Sequence, residues 1–132
     1  MGDESGQART RGVMESVVRR FAAACAAEDQ EAVREVLAAD VVLVSDGGGR
    51  VLAPLRPIRG AVETARIVVT LMSAAVLSIE EINGRPGVVL RRGGRVEAVA
   101  SLEVTGSVIT RIWVVLNPDK LAHWLVSDPS RG

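Results

Sequence analysis

Between Val76 and Leu116 four apolar runs are separated by three glycine-containing breaks, and this rhythm restricts the fold more than any other stretch of the chain. The breaks are Asn83-Gly84, Gly93-Gly94 and Thr105-Gly106. Glycine reaches positive φ without steric cost, so each break predicts a tight turn between antiparallel strands. The stretch from Gly94 to Val104 alternates most cleanly. Val96, Ala98, Ala100, Leu102 and Val104 fall on one face, and Arg95, Glu97, Val99, Ser101 and Glu103 on the other. A period of two with one apolar face predicts a strand covered on one side. In the last run Val108, Ile112, Val114 and Leu116 share a face with Thr110, while Arg111 and Trp113 share the opposite one.

The residues before this meander read as helices and a short hairpin. Residues 1–11 are polar and form a flexible leader in this reading. Met14, Val17, Val18, Phe21, Ala24 and Cys25 then recur at three- and four-residue spacing, which predicts an amphipathic helix. Asp29 is a good N-cap for a second helix, with Glu31 in its first turn and Val33, Val36 and Leu37 on its buried face, ending by Asp40. Val41 to Ser45 reads as a strand, broken by Asp46-Gly47-Gly48-Gly49, with Arg50 to Ala53 as its returning partner. Pro54 and Pro57 keep the next segment extended up to Gly60. Ala61 to about Ala74 is a third helix, apolar nearly all round. After the last strand, Asn117 can cap a short helix starting at Pro118, with Leu121, Trp124 and Leu125 on one side. Residues 127–132 read as a frayed tail, so the folded domain is expected over 12–126.

This order predicts an α+β domain: a cone-shaped, curved antiparallel sheet with about three helices packed on its concave face. The gap between two such layers is a natural place for a small-molecule site. The three aromatic residues, Phe21, Trp113 and Trp124, leave an aliphatic core. Sixteen basic and sixteen acidic residues cancel, against the basic surplus that direct nucleic-acid binding requires. No apolar run approaches the roughly 20 residues of a membrane-spanning helix, and a cytoplasmic location is the default. One cysteine and one histidine do not make a metal cluster, and neither a metal nor another cofactor is expected.

Two polar stretches stand out. Asp46-Gly47-Gly48-Gly49 can be a plain hairpin tip, but three glycines in a row also expose backbone N–H groups to close approach by a ligand. Asn117-Pro118-Asp119-Lys120-Leu121 reads as a helix start, which leaves Lys120 unexplained. His123 is the group with an ordinary pKa near neutrality, on a helix face away from Leu121, Trp124 and Leu125. Trp113, on the face away from Val114, suits either a partner surface or packing within the chain. Arg91, Arg92, Arg95 and Arg111 read as a solvated strand face.

With Arg56-Pro57-Ile58-Arg59-Gly60 and Ile82-Asn83-Gly84-Arg85-Pro86-Gly87, these stretches resemble a SnoaL-like domain of the nuclear-transport-factor-2-like superfamily. The likeness is strongest to the domain at the C-terminal end of extracytoplasmic-function sigma factors. The family often has Lys where Arg50 stands here, and Arg keeps the charge but not the shape of the donor. The resemblance implies a stand-alone relative with the same pocket, lacking the sigma regions. It implies a small apolar, polyketide-like ligand and acid–base chemistry of cyclase, isomerase or hydrolase type. Asp46 would move the proton, supported by Asp119 or His123, with Lys120 or Arg50 as electrostatic stabiliser. Gly47, Gly48, Gly49, Asn117 and Trp113 complete the expected ligand-binding set. The alternative from a different class is a regulatory or ligand-sensing module that contacts a sigma factor. A homodimer through the open sheet face is also implied.

Overall fold

The computed structural model describes residues 2–46 and 57–116, with side chains over 11–45 and 57–116. Among the described residues three helices, α1 (Gly2–Ala26), α2 (Gln30–Glu35) and α3 (Ala61–Met72), accompany six strands. The strands are β1 (Leu37–Asp46), β2 (Ile58–Arg59), β3 (Val76–Ile82), β4 (Arg85–Arg92), β5 (Arg95–Thr105) and β6 (Val108–Val115). They form one sheet in the order β2-β1-β6-β5-β4-β3. The fold is the expected α+β arrangement, with one refinement. All neighbours pair antiparallel except β1 and β6, which run parallel, so the sheet is mixed.

The meander closes through the three predicted turns. Asn83 and Gly84 have φ of 52° and 78°, Gly93 and Gly94 of 59° and 80°, and Gly106 of 65°. Consecutive positive φ values match the right-handed twist of the flanking strands, which is why Asn-Gly and Gly-Gly stand there. The helices cover one face of the sheet. Val17, Val18, Phe21 and Cys25 of α1 and Val68 and Met72 of α3 join Leu90, Ala100, Leu102, Ile112 and Val114 in a single buried cluster. These side chains pack together between the helices and the sheet. A smaller cluster of Ile82, Val89, Val96 and Val99 lies apart from it.

Helix α1 carries the predicted stripe, and its backbone is helical from Gly2, through the residues read as a leader. Asp29 caps α2 as expected, its Oδ1 accepting from the Ala32 N–H at 3.1 Å. The helix is shorter than its apolar spacing suggests. It ends at Glu35, and Leu37 already belongs to β1. The Val36 carbonyl accepts from the Ile109 N–H at 2.8 Å, so pairing with β6 takes the chain out of the helix.

Two strand faces differ from simple alternation because of β-bulges. Arg91 pairs with Val96 while Leu90 pairs with Ala98, which leaves Glu97 as an extra residue in β5. Val96 therefore sits with Val89 and Val99, away from the face of Ala98. In β6, Val104 pairs with Ile109 and Glu103 with Arg111, leaving Thr110 as the extra residue. Ile109, not Val108, is the fully buried side chain. The Thr110 hydroxyl donates to the Glu103 carbonyl at 3.2 Å, which satisfies one group the bulge would strand.

Candidate functional site

The first polar stretch begins at the end of β1 and the second just beyond β6. In the parallel pairing Ser45 lies beside Val114 and Asp46 beside Val115. Parallel strands leave a sheet in the same direction, so the backbones entering Gly47 and Asn117 depart side by side. Six of the residues on which ligand binding was expected, Gly47, Gly48, Gly49, Arg50, Asn117 and Lys120, lie outside the described residues, as do Asp119 and His123. The same holds for the returning strand Arg50 to Ala53 and the terminal helix.

Trp113 is the remaining expected ligand residue, and it stands on the face of the sheet that the helices leave uncovered. It is 47% exposed. It borders an open groove of about 410 Å³ whose floor is apolar, built from Ile82, Val99 and Val115. Ser101 lies directly across from Trp113, and Glu103 directly across from Arg111, in the β5–β6 register. Arg85 reaches Glu103 at 3.7 Å.

Of the four arginines read as one solvated face, Arg95 is exposed and the other three have separate places. Arg91 donates to the Ser78 hydroxyl at 2.9 Å and to Glu80 Oε2 at 3.2 Å. Arg92 turns to the helical layer and donates to the carbonyls of Leu71 and Ser73 at 2.8 and 2.7 Å. Those carbonyls end α3, where the helix dipole favours a cation. Arg111 shares the groove with Trp113. Its place beside Trp113 was legible from alternation, but the company of Arg85 and Ile82 was not, because β4 and β3 bring them from elsewhere in the sheet.

Among the described residues no three His, Cys, Asp or Glu side chains gather as a metal site. No described helix is long and apolar enough to cross a membrane. Cys25 lies on the buried face of α1, and loss of solvent pushes its thiol up to about 12.

No protein-family model matches the chain, and no curated protein matches its sequence. Solved structures share its fold. The extracytoplasmic function sigma factor SigJ of Mycobacterium tuberculosis is 24% identical, with a TM-score of 0.65 over 89% of this chain and 47% of its own. The chain thus spans about half the length of that sigma factor. An NTF2-like protein of unknown function from Cytophaga hutchinsonii is 16% identical, with a TM-score of 0.58 over 83% of this chain and 94% of its own. A candidate ketosteroid isomerase from Kribbella flavida is 17% identical, with a TM-score of 0.57 over 79% and 77%. These likenesses and the α+β topology define the class. The chain has the nuclear-transport-factor-2-like fold, in agreement with the SnoaL-like resemblance of its motifs.

Proposed function

We propose that the protein binds a small apolar, polyketide-like molecule at the sheet end where β1 and β6 finish, and that it moves a proton there. Asp46 is the acid–base group, with Asp119 or His123 in support. Lys120 or Arg50 stabilises charge that develops on a substrate oxygen, and the glycines 47–49 let the backbone approach the ligand. The observation that carries this reading is the pairing of Asp46 with Val115 on parallel strands. It starts two polar stretches, some seventy residues apart in sequence, from neighbouring backbones heading the same way. A fold shared with a candidate ketosteroid isomerase agrees with it.

The test is to identify small molecules carried by the purified protein by native mass spectrometry, and to assay turnover of those found. Asp46→Asn is expected to lower turnover by about a hundredfold or more while the ligand still binds. Unchanged turnover in that variant removes Asp46 from the chemistry.

The likeness to SigJ across 89% of this chain favours a second reading. In it the domain is a non-catalytic regulatory module, and its polar stretches contact a sigma factor. A purified sigma factor that binds the protein, with no turnover of any carried ligand, decides for this reading.

A further inference from the structure

The sheet face away from the described helices holds a feature that neither reading uses. Glu103 and Arg111 lie directly across from one another on β5 and β6, where opposite charges ordinarily pair. Here Glu103 is engaged from its other side by Arg85 of β4 at 3.7 Å. Arg111 has no carboxylate within salt-bridge distance among the described residues. Among the described residues the groove thus holds two guanidinium groups and one carboxylate, which Arg85 engages, and the charge of Arg111 is left over.

The surroundings of that charge are not those of a solvated arginine alone. Trp113 follows two residues along on the same face and leaves about half of its surface to solvent, 47%. Val99 and Val115 pair directly across the strands beside it, and Ile82 closes the apolar floor. At about 410 Å³ the groove falls in the size range of small-molecule sites. A half-exposed indole gains by stacking against a flat ring, and an arginine fork matches a carboxylate with two parallel hydrogen bonds.

We propose that this groove binds a flat aromatic carboxylate. Its ring lies against Trp113 and the valine floor, and its carboxylate is held by Arg111. An uncharged ring system leaves the surplus charge unmatched, and a small inorganic anion leaves the indole and the floor in water. The site needs neither Asp46 nor the stretch after Leu116, so it stands or falls apart from the acid–base reading.

The test is calorimetric titration of the full chain with 2-naphthoate, with light scattering on the same samples. One saturable site is expected. Arg111→Gln and Trp113→Ala each weaken it about tenfold or more, as loss of a charge-assisted contact or a stacking surface requires. Arg66→Gln removes the same charge on α3, away from the groove, and leaves the affinity unchanged. The neutral analogue 2-naphthalenemethanol binds about tenfold more weakly than the acid. Both substituted groove positions are exposed, and far-UV circular dichroism checks that each variant folds. No saturable binding, or equal affinity in Arg111→Gln, overturns the proposal. So does a stable dimer, lost in Trp113→Ala, that excludes 2-naphthoate, because a second copy then occupies the face.

Discussion

The side chain of Ile82 fills the space where a Cβ on Gly87 would stand, its Cδ1 nearest to that position. The two residues sit near the paired ends of β3 and β4, and Gly87 lies opposite Ser101 of β5. The Ala100 carbonyl oxygen comes within 2.6 Å of the same point. A flexible isoleucine tip can turn away, but a strand carbonyl cannot move without disturbing its ladder.

Gly87→Ala is therefore expected to destabilise the fold by about 1–3 kcal/mol, the usual range for overpacking a well-filled site. Chemical denaturation should show a lower midpoint with an unchanged slope. A midpoint equal to that of the parent chain contradicts the close approach of these strands.

Arg92 ties the end of α3 to β4, and its side chain is about one-third exposed, 34%. Arg92→Gln keeps a donor but loses the charge and the fork that reaches both carbonyls. After allowance for solvent screening, a loss of about 1 kcal/mol is expected. Hydrogen exchange should rise first at the C-terminal turn of α3, before the strands respond.

The Thr64 hydroxyl is fully buried on α3 and has no hydrogen-bond partner among the described residues. The backbone N–H of Thr64 already donates to the Gly60 carbonyl, so the helix itself is satisfied without the side chain. Thr64→Val keeps the branched shape and removes the stranded group. It is expected to be neutral or to stabilise by about 1 kcal/mol, read from the thermal midpoint. A clear loss of stability shows that the hydroxyl has a partner in solution.

Cys25 gives a signed pH dependence. Its folded pKa of about 12 lies above the ordinary thiol value of 9.0, because burial disfavours the thiolate. Below about pH 9 the thiol is protonated in both states, and its contribution is fully present. As pH rises from about 9 towards 12 the unfolded chain releases the proton and the folded chain does not, so stability falls. Cys25→Ala should lose less stability than the parent chain over that window. At pH 8 a thiol reagent should label Cys25 only after denaturant is added.

Much of the fold was legible because its signals are local. Asn83-Gly84 and Gly93-Gly94 turn where their φ preferences dictate, and Asp29 caps the helix that follows it. The stripe from Val17 to Cys25 is buried at the predicted spacing. The candidate site was legible only in part. The two polar stretches stand out in composition, but nothing in either says that Asp46 and Val115 are strand neighbours. The leftover charge on Arg111 depends on which partner Glu103 takes, and that partner, Arg85, is eighteen positions away in the chain but across one strand in the sheet.

The amino-acid order by itself determined the three turns of the meander, the Asp29 cap, the aliphatic core and the α+β class. Each follows from the preferences of a few adjacent residues or from a short period along the chain. Tertiary structure alone decided where α2 stops, which way Val96 and Ile109 face, and that β1 joins β6 in parallel. These depend on pairings across long sequence separations. One residue of bulge is enough to turn a side chain from one face of a sheet to the other.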